Sequence, residues 1–141
     1  MWVFYVNRGQ GVSSFGTASK DQAIMEFQPA NKAYRLTPQL GFRTFIKNLA
    51  SEQNEIFEPF SDLTSKDQVS RRMYIGTDEF EIEELDPDAG FKVNVLYYTL
   101  PRQDFAALVR VVTVRNITHT STAIELLDGM LVVITFGVDR F

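Results

Sequence analysis

The sequence predicts an all-β protein, built as a single antiparallel β-sandwich of about ten strands. Apolar and polar residues alternate with a period of two in several segments, and turn-forming residues recur roughly every 8–12 residues. Twelve Phe and five Tyr are many for 141 residues, and aromatic side chains favour strands. A chain of this length supports one domain with a hydrophobic core of its own.

The clearest alternation lies at residues 79 to 83. It places Phe80 and Ile82 inward and the three glutamates around them outward. Residues 86 to 90 predict a turn, because proline fixes one φ angle and glycine supplies a positive one. Residues 91 to 100 are again strand-like, so the two segments predict a long β-hairpin.

The last third of the chain is also strand-like. Residues 106 to 117 are β-branched and nearly continuous, which predicts a central strand of the sandwich. Residues 122 to 127 predict the next strand, Asp128-Gly129 a turn, and residues 131 to 136 a final strand.

Upstream, the pattern predicts five further extended segments separated by polar or proline-containing gaps. These are residues 3–6, 12–17, 23–27, 33–36 and 41–46, with Pro29 and Pro38 in the gaps. Helix is limited to one turn at residues 65 to 72, where Ser65 would cap and Gln68 would reach back.

The composition excludes several classes of function. The net charge is −4 and no run of Lys or Arg exceeds two residues, so neither nucleic acid nor an anionic membrane is an expected partner. The absence of Cys excludes disulfides, thiolate catalysis and thiolate metal sites, and it fits a cytoplasmic protein. The apolar runs are too short for a signal peptide or a membrane span. We therefore expect a soluble, cytoplasmic protein.

No catalytic arrangement emerges from the sequence. Residues 11 to 16 contain adjacent serines without the spacing of a nucleophile elbow, and the single histidine, His119, lies in a polar turn. The nearby glycines match no phosphate-binding loop. The carboxylates between Asp78 and Asp88 are predicted to form a solvated strand face and turn, not the desolvated pair that glycoside chemistry needs. No catalytic residue, metal ligand or cofactor is assigned.

Several side chains are candidates for carbohydrate contact, because Tyr and Trp rings stack on sugars and a guanidinium binds polar groups. They are Trp2, Tyr34, Arg43, Tyr74, Tyr97 and Tyr98. Successive residues of a strand point to opposite faces, so either Tyr97 or Tyr98 must face away from the core. Core packing or a domain interface is the alternative role for the aromatic residues, and bracing of a loop is the alternative for Arg43.

A resemblance to a known family runs over most of the chain in scattered blocks. The blocks are residues 14–17, 20–24, 26–34, 41–47, 72–76, 81–85, 108–116 and 125–130. They resemble the amino-terminal region of glycoside phosphorylases of the cellobiose phosphorylase type, and the β-1,2-oligoglucan phosphorylase branch most of all. None of the blocks is a catalytic motif.

The resemblance implies a galactose-mutarotase-like super-sandwich, incomplete in this chain. Enzymes of this family (glycoside hydrolase family 94) cleave a β-glucosidic bond with inorganic phosphate, and their catalytic residues lie in an (α/α)₆ barrel. A β-patterned chain of 141 residues has no place for that barrel. The resemblance therefore implies a non-catalytic domain of a β-glucan phosphorylase-like protein. Its implied partners are the barrel, a second copy of itself and a β-glucan oligosaccharide; a free-standing carbohydrate-binding module is the alternative.

Both ends of the chain are apolar and strand-like, where domain ends usually carry polar residues. We therefore expect residues 1–141 to be one sandwich domain from a longer multidomain chain, or a short gene product that resembles such a domain. A sandwich separated from its neighbour exposes an apolar face, and such a face predicts self-association.

Overall fold

The computed structural model describes residues 3–7, 10–14, 16, 18–26, 29–50, 55–61, 67–105, 107–135 and 137. These residues form nine strands, one α-helix and a short 3₁₀ turn at Lys20–Gln22. In chain order the elements are β1 (Val3–Asn7), β2 (Gln10–Ser14), α1 (Ala30–Leu40), β3 (Phe42–Asn48), β4 (Ile56–Phe57), β5 (Ser70–Ile75), β6 (Glu79–Asp86), β7 (Phe91–Thr99), β8 (Leu108–Asn116) and β9 (Ile124–Met130).

All strand pairs among the described residues are antiparallel, and the predicted all-β, sandwich-like class is confirmed. β1 and β2 form a hairpin, β4-β3-β9 form a three-stranded sheet, and β5-β6-β7-β8 form a four-stranded sheet. The core contains Ile46 from the three-stranded sheet and the inward residues of β6 and β7, including Val93 and Val95. Burial of these side chains holds the two larger sheets together.

The predicted hairpin is confirmed in detail. β6 and β7 pair from Glu79 opposite Tyr98 to Asp86 opposite Phe91, and Phe80 and Ile82 are buried as expected. The Asp86 carboxylate accepts two backbone N–H bonds within the turn, each 2.9 Å long. Gly90 closes the turn at a φ of +76°, a conformation that favours glycine.

The prediction that residues 106 to 117 form a central strand was wrong in its position. β8 is the expected strand, but among the described residues it pairs only with β7 and lies at an edge of the sheet. Its inward residues Val112 and Val114 are half-buried, whereas Val111 on the outer face is exposed. A run of β-branched residues indicates a strand, but it does not show that both faces of that strand are buried.

The predicted turn at Asp128-Gly129 was also wrong. β9 continues through both residues to Met130, with Asp128 opposite Thr44 and Gly129 opposite Arg43. Asp128 is held in the strand because its carboxylate bonds to side chains on two other strands, a long-range effect that overrides the local turn signal. The predicted strand at 131–136 does not form in residues 131–135, where only Thr135 makes an isolated bridge, with Met25. Residue 136 lies outside the described residues.

The extended segment predicted at 33–36 lies inside α1, so that prediction was wrong. Ala33 and Thr37 are buried one helical turn apart and form the inward face of the helix. Pro38 lies within the last turn of α1 and not in a gap, and the Thr37 hydroxyl donates to the Ala33 carbonyl at 2.8 Å. Gly41 follows, where a Cβ atom would lie 2.5 Å from the carbonyl oxygen of Gly11.

The remaining elements agree with the sequence only in part. Residues 3–6 lie in β1, residues 42–46 lie in β3, and β2 ends at Ser14. The segment predicted at 23–27 contains only isolated bridges at Ala23 and Met25 among its described residues. Ser65, the predicted cap of a helical turn, lies outside the described residues, and residues 70–72 belong to β5, so no helix forms there.

Candidate functional sites

A polar cluster joins the two larger sheets across the interior, and we call it the cross-sheet cluster. It consists of Arg110 and Tyr97 from the four-stranded sheet and of Thr44 and Asp128 from the three-stranded sheet. Arg110 donates from Nε to the Tyr97 hydroxyl at 3.0 Å, from Nη2 to the Thr44 hydroxyl at 2.9 Å, and from Nη1 to the Asp128 carboxylate. The Thr44 hydroxyl in turn donates to Asp128 Oδ1 at 2.6 Å.

Strand register explains why these groups meet. Tyr97 lies opposite Arg110 in the β7–β8 pair, and Thr44 lies opposite Asp128 in the β3–β9 pair. The Arg110 guanidinium also lies 5.3 Å from the ring centroid of Phe42 and 5.6 Å from that of Tyr97. Every nitrogen of this side chain therefore bonds to the protein, which identifies a structural tie and not a ligand site.

Burial raises the pKa of Tyr97, although the neighbouring Arg110 charge and hydrogen bond favour the phenolate. The phenol consequently stays neutral at physiological pH, and its oxygen serves as an acceptor for Arg110. Sequence reasoning missed Arg110, Asp128 and Thr44 as a group. Only the polar residues on otherwise apolar strand faces signalled them, and that signal does not specify partners.

A second polar cluster, the Glu84 cluster, lies where β5 and β6 meet the segment after β4. Glu84 Oε2 accepts from the backbone N–H of Phe60 at 2.7 Å and from Arg71 Nε at 2.6 Å. Arg71 Nη2 also donates to the Ser61 carbonyl at 2.7 Å. Burial raises the pKa of Glu84, and the nearby Asp86 charge acts in the same direction, while Arg71 and the Phe60 N–H oppose the shift.

The expectation that all carboxylates from Asp78 to Asp88 are solvated was wrong for two of them. Glu84 and Asp86 are each only 2% exposed. β6 extends to Asp86, so the period of two that buries Phe80 and Ile82 also turns positions 84 and 86 inward. Both carboxylates accept hydrogen bonds from nearby protein groups, as buried charges require.

Arg43, a candidate for carbohydrate contact, braces neighbouring segments. Its guanidinium donates to the Glu58 carboxylate and to the Pro38 carbonyl, and it lies 5.5 Å from the ring centroid of Phe45. These contacts connect the end of α1 to β3 and to the residue after β4.

The structure distributes the other candidate residues over several surfaces. Tyr34 is exposed on α1, Tyr97 is buried in the core, and Trp2 lies outside the described residues. Tyr74 and Tyr98 share the outer face of the four-stranded sheet, with β6 between them. Tyr97 and Tyr98 thus point in opposite directions, as predicted.

The outer face between Tyr74 and Tyr98 is polar. Asn94 Nδ2 donates to Glu81 Oε1 at 2.6 Å and to Glu83 Oε2 at 3.2 Å, and Lys92 Nζ lies 2.7 Å from Glu83 Oε2. The hydrogen bond from Lys92 is the main cause of a lowered pKa of Glu83. Partly exposed phenol rings beside carboxylate and amide groups are chemically suited to sugar hydroxyls and sugar faces.

No metal centre is found within the described ranges, where no group of three or more His, Asp or Glu side chains is placed to hold an ion. His119 is exposed in the bend after β8. In the same part of the chain, no helix has the length and apolar character needed to cross a bilayer.

Comparison of the chain with family models, with curated proteins and with solved structures finds no significant match. The described residues define the class by themselves: a mostly antiparallel, sandwich-like all-β domain.

Proposed function

We propose that the chain is a non-catalytic β-sandwich domain of a carbohydrate (β-glucan) phosphorylase-like protein. Its roles are packing against another domain, oligomerisation and contact with carbohydrate. One contrast supports this proposal: the buried charged groups Arg110, Glu84 and Asp86 bond to the protein's own groups, whereas many large apolar side chains face solvent.

The exposed apolar side chains occur on several elements. The most exposed of them are Ile56, Ile75, Phe105, Leu127 and Val133. Monomeric proteins rarely expose contiguous apolar patches beyond a few hundred Å². The consecutive exposed residues Met73 to Ile75 and Leu131 to Val133 favour a partner surface, and we propose the helical barrel of the parent enzyme or a second copy of the chain.

The proposed parent is a cytoplasmic glycoside phosphorylase, a glycosyltransferase with phosphate as acceptor. The support is the resemblance of the scattered blocks, and the catalytic groups belong to the barrel. We expect no phosphate-dependent release of glucose 1-phosphate from β-glucan oligosaccharides by this chain alone. Turnover at an enzymatic rate, abolished by Glu84→Gln, would contradict the proposal.

Oligomerisation is tested by light scattering coupled to size-exclusion chromatography over a wide range of protein concentration. We expect a dimer or a larger assembly, because association covers apolar surface. A chain that stays monomeric at the highest concentration would exclude self-association.

A free-standing carbohydrate-binding module is the second candidate, and the shared face of Tyr74 and Tyr98 favours it. Calorimetric titration with β-glucan oligosaccharides tests it. Tyr98→Ala is expected to lose about 1 kcal/mol of binding free energy or more, because an aromatic stacking partner is removed. Met73→Ala, an exposed position on the opposite face of β5, is the matched control. Absence of binding heat with the wild-type chain would remove this candidate.

A further inference from the structure

In the part of the chain that the structure describes, β5 is an edge strand of the four-stranded sheet. All of its residues are exposed, and among the described residues it pairs only with β6. Met73 and Ile75 face the inner side of the sheet and Tyr74 the outer side, so three consecutive apolar side chains are exposed on both faces. A regular edge strand with exposed apolar side chains is a template for pairing with another strand.

Within the two larger sheets, the other edge strands are poorer templates. β4 has only two residues, and β9 contains Gly129 at a φ of +151°. β9 also carries Asp128, whose charge is bonded to Arg110 on β8. On β8 itself, exposed Val111 is flanked by half-buried neighbours.

The direction in which the backbone groups of β5 point follows from the adjoining turn. The N–H of Gly76 donates to the Glu79 carbonyl at 2.9 Å, so residues 76 and 79 form a hydrogen-bonded pair. Such pairs alternate along an antiparallel ladder. Arg72 and Tyr74 therefore bond toward β6, and the N–H and C=O groups of Met73 and Ile75 point away from β6.

We propose that β5 pairs antiparallel with β5 of a second copy, about a twofold axis at Met73. This pairing joins the two four-stranded sheets into one continuous sheet through a self-complementary interface. The inference rests on the self-association in the proposed function, and it names the surface and the register.

Charge selects the register. Hydrogen bonding between two β5 strands requires their odd-numbered residues to face one another. A twofold axis at Arg71 or at Arg72 would set two guanidinium groups directly opposite each other, which is destabilising. An axis at Met73 sets Arg71 opposite Ile75 and Arg72 opposite Tyr74, without any like-charge pair. An axis at Tyr74 also avoids like charges but pairs fewer residues.

Two variants of one residue test this register by sedimentation equilibrium. Ile75 is 77% exposed, so both Ile75→Lys and Ile75→Glu are expected to fold, which circular dichroism checks. Ile75→Lys sets a lysine opposite Arg71 at two symmetric places, and the dimer dissociation constant should rise on the order of tenfold or more. Ile75→Glu sets a carboxylate there, and its dimer should be at least as stable as that of the wild type. The control Thr113→Lys, at an exposed position on β8 at the opposite edge of the sheet, should leave the dissociation constant unchanged.

Disulfide trapping provides an independent readout, because the chain contains no Cys. In the proposed register the two Met73 Cα atoms are about 5.5 Å apart, within the range of a disulfide. Met73→Cys should therefore form a covalent dimer on mild oxidation. In Arg72→Cys and in Tyr74→Cys the paired Cα atoms are about 8 Å apart, and neither should cross-link.

The outcomes separate this inference from the proposed function. A wild-type chain that is monomeric contradicts both. A dimer that tolerates Ile75→Lys and does not trap Met73→Cys overturns pairing through β5 and leaves self-association intact. Equal weakening by Ile75→Lys and Ile75→Glu, or trapping through Arg72→Cys or Tyr74→Cys in place of Met73→Cys, overturns the register.

Discussion

The cross-sheet cluster and the Glu84 cluster each pair an arginine with a carboxylate, but they bury opposite partners. In the cross-sheet cluster the cation is buried and the anion keeps contact with water: the Arg110 side chain is 9% exposed and that of Asp128 is 28% exposed. In the Glu84 cluster the anion is buried at 2% exposure, and the Arg71 side chain is 33% exposed.

The difference shows which partner bears the cost of desolvation. A guanidinium keeps its charge at any pH that the protein meets, so Arg110 needs acceptors at all of its nitrogens. A carboxyl group can take up a proton, and burial raises the pKa of Glu84 accordingly. The buried partner of the first cluster therefore keeps its charge, whereas the charge of the buried partner in the second depends on pH.

The largest expected effect is that of Arg110→Ala. This change leaves Asp128, Thr44 and the Tyr97 hydroxyl without their common donor, and we expect the free energy of unfolding to fall by about 3 kcal/mol. Urea denaturation measures it. Arg115→Ala, at an exposed position on the same strand, should change stability by less than about 0.5 kcal/mol. Equal losses in the two variants would contradict the structural role of the cluster.

A smaller loss is expected for Arg71→Ala. At neutral pH the buried Glu84 carboxylate would keep the Phe60 N–H as a donor but lose its cation, and stability should fall by about 1–2 kcal/mol. The loss should shrink in acid, where Glu84 is protonated and needs the cation less.

The neighbouring variant Arg72→Ala is the matched control for Arg71→Ala. Arg72 is fully exposed on the opposite face of β5, so its removal should have little effect at either pH. A loss for Arg71→Ala that stays constant with pH would show that Glu84 does not respond to its burial.

The smallest effect is expected for Glu84→Gln and is a trend with pH. Because the pKa of Glu84 is raised in the folded state, its contribution to stability is fully present below the ordinary value of 4.5 and is lost as pH rises through the folded value. The glutamine variant lacks this loss. Its stability relative to the wild type should therefore increase with pH over that window.

Thermal unfolding from mildly acidic to neutral pH measures this trend. Glu79→Gln removes the same charge from the exposed end of β6 and controls for net charge. A relative stability of Glu84→Gln that falls with rising pH would reverse the assignment.

Local patterns predicted the β6–β7 hairpin because its alternation, its turn residues and the positive φ of Gly90 are properties of adjacent residues. They failed for α1, whose buried face consists of Ala33 and Thr37 and whose last turn contains a proline. The burial of Glu84 and Asp86 was within reach, since it needed only the same alternation carried to the end of β6.

The cross-sheet cluster was not predictable in the same way. Thr44 and Asp128 are separated by 84 positions, and no local pattern indicates that β3 pairs with β9. Arg110 also reaches its acceptors across the gap between two sheets, so its role depends on how the sheets are stacked.

That separation also affects the nascent chain. β3 leaves the ribosome long before its partner β9 has been synthesised, and at about 5–20 residues per second the wait for 84 residues lasts about 4 to 17 seconds. Strands β5 to β8, each of which pairs with its neighbour in sequence, can form their hairpins during that interval. During this time β3, with its aromatic side chains, has no β9 to pair with. This is the period in which a chaperone would act on the growing polypeptide.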